Sequence, residues 1–254
     1  MFQLISTIVA FLFIPIFIKK NFKLSTTLFI VVVIMSILSG LGIKPIGESL
    51  IYLIKDPSSR DTIFTILMIN VLGGLMKEYG ILDKIIDNML KIISNKKLIL
   101  MIFPALIGVL VIPGGAILSA PFIYNLGEEL DVQEERRAAI NLVFRHVGTP
   151  ILPYSSSLLF LVATVPGLNI YKLIMFNFIF AIGAALIGYF LFIKDVKTEL
   201  KEKGDNIGRS LLNLAILTTP IYSPVIINLI TKLPFFICML VSFAIVYFLS
   251  NKDK

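Results

Sequence analysis

Leu98–Leu126 reads LILMIFPALIGVLVIPGGAILSAPFIYNL, and whether these 29 residues cross a membrane or turn back within it decides the fold. A bilayer core of ~30 Å takes about 20 apolar residues in a helix, so the stretch is too long for one ordinary span. Pro104, Pro113, Gly114, Gly115 and Pro121 interrupt it. Proline removes a backbone donor and kinks a helix, and a Gly-Gly pair favours a turn. Each half is then roughly 11–15 residues, or ~16–22 Å of helix, and neither half crosses alone. Two readings compete: one long kinked crossing helix, or a re-entrant hairpin that turns at Pro113-Gly114-Gly115.

Composition sets the frame for that choice. The 254 residues are 57% hydrophobic and 15% charged, whereas soluble chains carry ~25% charged residues. A compact soluble domain has too little interior for so many apolar side chains, so they face lipid. That excludes a cytosolic enzyme, a secreted disulfide scaffold and a disordered chain. Cys238 is the single cysteine and cannot form an internal disulfide. The net charge of +7 is carried between apolar runs. It reads as a set of topology determinants, not as a surface for nucleic acid.

Seven further runs are long enough, or nearly so, to span: Phe2–Ile18, Leu24–Ile43, Thr62–Tyr79, Ala139–Thr164, Ile170–Ile193, Ser210–Ile230 and Leu233–Leu249. Backbone groups in lipid must bond internally, so these are helices. The runs lack the period-2 alternation of a barrel. The expected fold is all-α: a polytopic membrane protein of about seven transmembrane helices plus one re-entrant helical hairpin. Positive charge follows the first run, at Lys19, Lys20 and Lys23. A secretory signal has its charge in front, so this run is read as an uncleaved span.

Charge then chooses between the two readings of Leu98–Leu126. With the N-terminus outside and the hairpin not crossing, the inner segments are 19–23, 77–97, 127–138, 194–209 and 250–254. They hold 17 of the 23 Lys and Arg, the outer ends hold 5, and Arg145 lies within a span. A crossing at 98–126 would move the last two segments outside and erase most of the bias. The positive-inside rule favours the hairpin. The expected setting is a prokaryotic inner membrane, N-terminus outside and C-terminus cytoplasmic.

Gly80–Leu98 is amphipathic. Leu82, Ile85, Ile86, Met89 and Ile93 share one face, and Asp83, Lys84, Asp87, Asn88 and Lys91 share the other. The pattern predicts a helix lying on the inner membrane surface, with Pro45–Ile54 a weaker counterpart on the outer side. Asp131-Val-Gln-Glu134 matches a capping box and predicts a helix start near Val132.

Three features carry the candidate chemistry. Non-helical backbone at membrane depth survives only where protein buries it or where it lines a cavity. The break at Pro113, Gly114 and Gly115 would leave a half-helix whose N–H groups form an anion site, unless the kink serves packing alone. Asn141, Arg145 and Thr149 recur every four residues and form one polar stripe, with His146 beside it. An ionisable group within a span costs ~2.5–3.5 kcal/mol on insertion scales, so it usually faces a cavity or a partner. Arg145 can hold a carboxylate or phosphate bidentately, or its long stem can reach back to the headgroups. His146 can relay protons or donate a hydrogen bond, or simply pack. Thr149-Pro150 and Pro153-Tyr154-Ser155-Ser156-Ser157 interrupt the same helix, and carbonyls freed there could ligate Na⁺. No metal-ligand cluster, P-loop or nucleophile motif is present in the sequence. Ser155–Ser157 with His146 is the one formal nucleophile–base pair, so neither catalysis nor a cofactor is expected.

Val111-Ile-Pro-Gly-Gly-Ala-Ile-Leu-Ser-Ala-Pro-Phe122 and Asn141-Leu-Val-Phe-Arg-His-Val147 resemble a prokaryotic membrane-protein family catalogued as domain of unknown function 401. Gly74-Leu75-Met76-Lys77-Glu78 is similar to a further stretch of that family, and the likeness runs in order along most of residues 1–249. Residues 148–152 depart from it, with Gly-Thr-Pro-Ile-Leu where aromatic residues are common. The family is grouped with the ion-transporter superfamily, whose better-known relatives carry organic anions with Na⁺ or H⁺. They use two inverted repeats, each with a re-entrant hairpin and a broken helix. The resemblance implies that Pro113, Gly114 and Gly115 form a hairpin tip, with Asn141, Arg145 and His146 on the adjoining broken helix.

On this reading residues 1–193 are a first repeat of three spans, the hairpin 98–126, a broken span 139–164 and a span 170–193. A cytoplasmic linker covers 194–209. Residues 210–254 hold the first two spans of an incomplete second repeat, so the chain is expected to be an N-terminal portion of a transporter. Its expected role is secondary transport of a small organic anion coupled to Na⁺ or H⁺. The alternative is a non-transporting membrane subunit that assembles with a complementing membrane protein, or with copies of itself.

Overall fold

The computed structural model describes residues 2–109, 115–153, 155–165, 167–197 and 206–251. Among the described residues every regular element is helical. The chain forms two compact units that divide at residues 60 and 61.

The first unit holds α1 (Phe2–Lys19), α2 (Leu24–Leu38) and α3 (Lys44–Lys55). Asn21 ends α1 in the left-handed region, at φ 63°, while the Phe22 N–H reaches the Phe17 carbonyl at 3.1 Å. This Schellman closure reverses the chain, and α2 packs back on α1. In α3 no residue is buried, which leaves the amphipathic segment foreseen at Pro45–Ile54 exposed within this unit.

The first unit ends in the first turn of α4 (Pro57–Glu78), where the Asp56 carboxylate accepts from the Ser59 N–H at 2.7 Å, and the second unit begins at Asp61 on the same helix. Gly80, at φ 64°, ends α4 and lets α5 (Ile81–Ile92) leave at 70°. Next come α6 (Lys96–Val109), α7 (Gly115–Glu129) and α8 (Glu134–Val147). A 3₁₀ turn at Thr149–Ile151 precedes α9 (Ser156–Thr164) and α10 (Ile170–Phe192). The chain closes with α11 (Ile207–Leu217), α12 (Thr219–Thr231) and α13 (Phe235–Asn251).

Helices α6 and α7 are antiparallel partners. Lys96 at the start of α6 and Glu129 at the end of α7 form an ion pair. The Phe103 and Phe122 rings meet at a tilt of 37°, with centroids 4.0 Å apart. Both pairs are symmetric in sequence about the same point, beside Pro113. The tip itself, with Pro113 and Gly114, lies outside the described residues. The legs contain 14 and 15 residues, about 21–22 Å of helix each. A straight passage of Leu98–Leu126 would hold Lys96 and Glu129 far apart, so the chain turns back here.

The hairpin packs on α8, which also meets α10. Phe103, Ile140 and Phe144 are almost fully buried at this junction. The Gly108 position allows no side chain: an added Cβ would sit 1.9 Å from the Arg145 carbonyl oxygen. The far end of α10 is held by two cations. Arg136 Nε donates to the Phe192 carbonyl at 2.8 Å, and Lys97 Nζ donates to the Lys194 carbonyl at 2.8 Å. Positive charge at a helix C-terminus meets both its unpaired carbonyls and its dipole.

The face of α10 turned away from α8 is bare. Phe176 is 70% exposed and Phe180 is 74% exposed. Apolar surface on this scale belongs against lipid. Ile170–Phe192 and the interrupted stretch Glu134–Thr164 are long and apolar enough to cross a membrane. Counting the bent pairs α4–α5 and α11–α12 as spans makes four.

Three local expectations are corrected. Asp131 does not cap α8: it is the left-handed residue, φ 55°, that closes α7, with the Val132 N–H reaching the Gly127 carbonyl at 2.8 Å. The helix therefore starts at Glu134, with no side-chain cap. The apolar face of α5 is covered by protein and not by headgroups, since Ile81 and Ile85 are fully buried and α11 packs along the helix. Asn88, placed by the pattern on the solvated face, is 9% exposed and accepts from Asn213 Nδ2 at 3.4 Å. The run Ser210–Ile230 is a helix pair bent by 57°, not one straight span. Thr218 ends α11 and Pro220 starts α12.

Candidate functional site

A broken helix lies at the centre of the second unit. Helix α8 ends at Val147, the chain makes one 3₁₀ turn, and α9 starts at Ser156. The cause is in the sequence. A 3₁₀ pattern asks residue 153 to donate to the Pro150 carbonyl, and residue 153 is proline. Asn177 Nδ2, on α10, makes that bond instead, at 3.0 Å. This carbonyl is thus engaged by protein, and no cation is needed to satisfy it. Tyr154 lies outside the described residues.

A pocket of ≈ 390 Å³ opens between α7 and α8. Asn141 and Arg145 line it, as their four-residue spacing predicts. Ser119, fully buried on α7, donates to Asn141 Oδ1 at 2.7 Å. That bond engages the amide oxygen of Asn141 and leaves its nitrogen a donor. Arg145 is half-buried. Among the described residues its guanidinium makes no hydrogen bond or ion pair. An arginine guanidinium presents five donors and no acceptor, so this wall of the pocket offers donors and positive charge.

Arg137 extends the same stripe one turn towards the start of α8, and sequence reasoning placed it among the topology charges instead. Its stem lies on Gly127, where an added Cβ would be 2.7 Å from Arg137 Cγ. Its Nε donates to the Val132 carbonyl and its Nη1 to the Tyr124 carbonyl at 3.3 Å. The guanidinium sits 4.5 Å from the Tyr124 ring centroid, within the range of a cation–π contact. Arg137 therefore fastens α7 to α8, and Arg145 does not. Glu134 and Ile123 complete the mouth.

The other predicted residues fall differently. Thr149 Oγ1 donates to the Arg145 carbonyl at 3.4 Å, so it sits one turn beyond the pocket wall. His146 is exposed, and its Nδ1 lies 2.7 Å from the Leu142 carbonyl. It does not line the pocket. Gly115 begins α7, while Pro113 and Gly114 lie outside the described residues. Ser242 on α13 is fully buried and donates to the Pro220 carbonyl at 2.7 Å. Among the described residues, no three His, Cys, Asp or Glu side chains come together as metal ligands would.

A family model described as "Protein of unknown function (DUF401)" matches residues 4–252. No curated protein and no solved structure matches.

Proposed function

Because the chain belongs to the DUF401 family, whose function is unknown, we propose that it is a secondary transporter, or one part of a transporter, for a small organic anion coupled to Na⁺ or H⁺. Helices α6 and α7 form a re-entrant hairpin, α8 and α9 one broken span, and the anion sits between the hairpin and α8. The observation that carries this reading is Arg145: half-buried, without a partner among the described residues, and lining a pocket together with Asn141 and Arg137. An unpaired arginine at membrane depth is costly, and a carboxylate accepting a bidentate pair of bonds would offset that cost. Broken helices facing an interior site are the usual architecture of secondary transporters.

The orientation of the spans rests on the same geometry. Segments 77–97, 127–138 and 194–209 were assigned to the inner side by their charge. Lys96 meets Glu129, Lys97 meets Lys194 and Arg136 meets Phe192. These contacts gather the three segments at one end, which supports an N-terminus outside and a C-terminus inside a prokaryotic inner membrane.

The test is uptake of labelled mono-, di- and tricarboxylates by proteoliposomes holding the full chain, under an inward Na⁺ or proton gradient. At least one carboxylate accumulates, and Arg145→Ala abolishes accumulation while membrane insertion stays normal. Uptake of none of them, or unchanged uptake by the variant, overturns the reading.

A further inference from the structure

The pocket between α7 and α8 is uneven along its length. Arg145 stands at one end and Glu134 at the other, eleven residues apart on α8, about 16 Å of helix. Asn141 lies one turn from Arg145. Between the two ends the lining is apolar, with Leu142 and Ala138 from α8 and Ala120 and Ile123 from α7. Arg137 also reaches the pocket, but its Nε and Nη1 donate to the carbonyls of Val132 and Tyr124, and its guanidinium sits over the Tyr124 ring. Glu134 forms no ion pair among the described residues. Two arginines against one glutamate leave the lining one net positive charge.

Resting on the anion-transport reading above, we propose that the substrate is a monocarboxylate with an apolar body, such as a short aliphatic acid, and not a di- or tricarboxylate. A single carboxylate matches the net charge. Of the two arginines, Arg145 is the one whose guanidinium has no partner among the described residues, so it takes that carboxylate bidentately. The Asn141 amide nitrogen is a further donor. The body of the acid then lies along Leu142, Ala138 and Ile123, where each methylene removed from water tightens binding about fourfold. A second carboxylate at the far end of such a chain meets no free cation and approaches Glu134, a like charge. Glu134 thus discriminates by repulsion, and the apolar lining by attraction.

The test is thermal stabilisation of the full chain in detergent at pH 7, titrated with butyrate, hexanoate, adipate and 1-hexanol. Each titration is read against Arg145→Ala, so that partition into the micelle cancels. Hexanoate binds about 16-fold more tightly than butyrate, the gain from two methylenes. Adipate, of the same length with a carboxylate at each end, binds at least about tenfold more weakly than hexanoate. The alcohol gives no shift that depends on Arg145. Glu134→Gln narrows the gap between adipate and hexanoate. Adipate binding as tightly as hexanoate, equal affinity for butyrate and hexanoate, or a gap unchanged by Glu134→Gln overturns this inference and leaves anion transport standing. If none of the three acids binds in a manner that depends on Arg145, the monocarboxylate is overturned, and the uptake assay above decides the anion reading separately.

Discussion

At two places in the second unit a proline removes a ladder donor, and the surroundings differ. At the 3₁₀ turn after α8, the Pro150 carbonyl loses its donor and Asn177 replaces it. In α12, Pro224 cannot donate to the Pro220 carbonyl four residues back, and Ser242 replaces it. Each vacancy in the helical ladder is thus closed by one polar side chain from a neighbouring helix. Around α12 the remaining polar groups bond inward: Thr218 to the Leu214 carbonyl, Thr219 to Ile216 and Tyr222 to Ala215. Beside the α8 break stands Arg145, which bonds to nothing described. A proline break alone is therefore an ordinary repairable defect. The unmatched cation next to one of them is the feature on which the proposed ligand site rests.

The sharpest challenge to this contrast is Gly108→Ala. The close approach of α6 to α8 holds Arg145 in place, and a methyl group there collides with backbone. We expect a loss at the upper end of the ~1–3 kcal/mol typical of overpacking, read as a lowered Tm or aggregation in detergent. Gly188→Ala, whose Cβ would meet Phe144 and Val143 at 3.1 Å, should cost clearly less. If Gly108→Ala folds as the wild type does, the contact between α6 and α8 is looser than described.

Next come the two repairs. Ser242→Ala and Asn177→Ala each leave a carbonyl unanswered, and each should cost about 1 kcal/mol. Thermal unfolding in one detergent compares them directly. A large loss for one and none for the other would mean that the breaks are not alike.

Arginine removal should then separate structure from function. Arg137→Ala loses the Tyr124 stack and two bonds to carbonyls, and should lower stability by about 1–2 kcal/mol. Arg145→Ala removes a charge with no partner, and should leave Tm unchanged or raise it. The opposite order would show that Arg145 is a structural clamp.

The smallest effect is expected at Asp56, away from both breaks. Its bond from the Ser59 N–H holds the carboxyl below its ordinary value of 3.8. A group lowered on folding stabilises the fold above its unfolded pKa, and that benefit is lost as pH falls through the folded one. The difference in Tm between the wild type and Asp56→Ala should be constant above about pH 5 and shrink below pH 4. A difference that grows in acid would contradict the cap.

Much of this was legible in residue order. The distribution of Lys and Arg over the whole chain favoured a hairpin at Leu98–Leu126, and the ion pair and ring contact show that its two helices are antiparallel and give their register. Pro150 and Pro153 announced the interruption after α8, and the spacing of Asn141 and Arg145 put both on one pocket wall. The failures have physical causes. Asp131 satisfied the pattern for starting one helix while closing another, because both ends favour a short polar residue. Asn88 sat correctly on a polar stripe, but its partner Asn213 is 125 positions away and periodicity cannot see it. Asn177 and Ser242 stand as lone polar residues in apolar runs, with no local pattern to mark them. Each answers a carbonyl orphaned on a different helix, and only the fold brings the two together.

The antiparallel pair α6–α7 has one more consequence. On the proposed re-entrant reading, a detour that returns to its own starting level leaves the parity of everything downstream untouched: excising 96–129 and joining the cut ends would leave α10 and α13 facing the same compartments as before, whereas removal of a crossing segment would invert them.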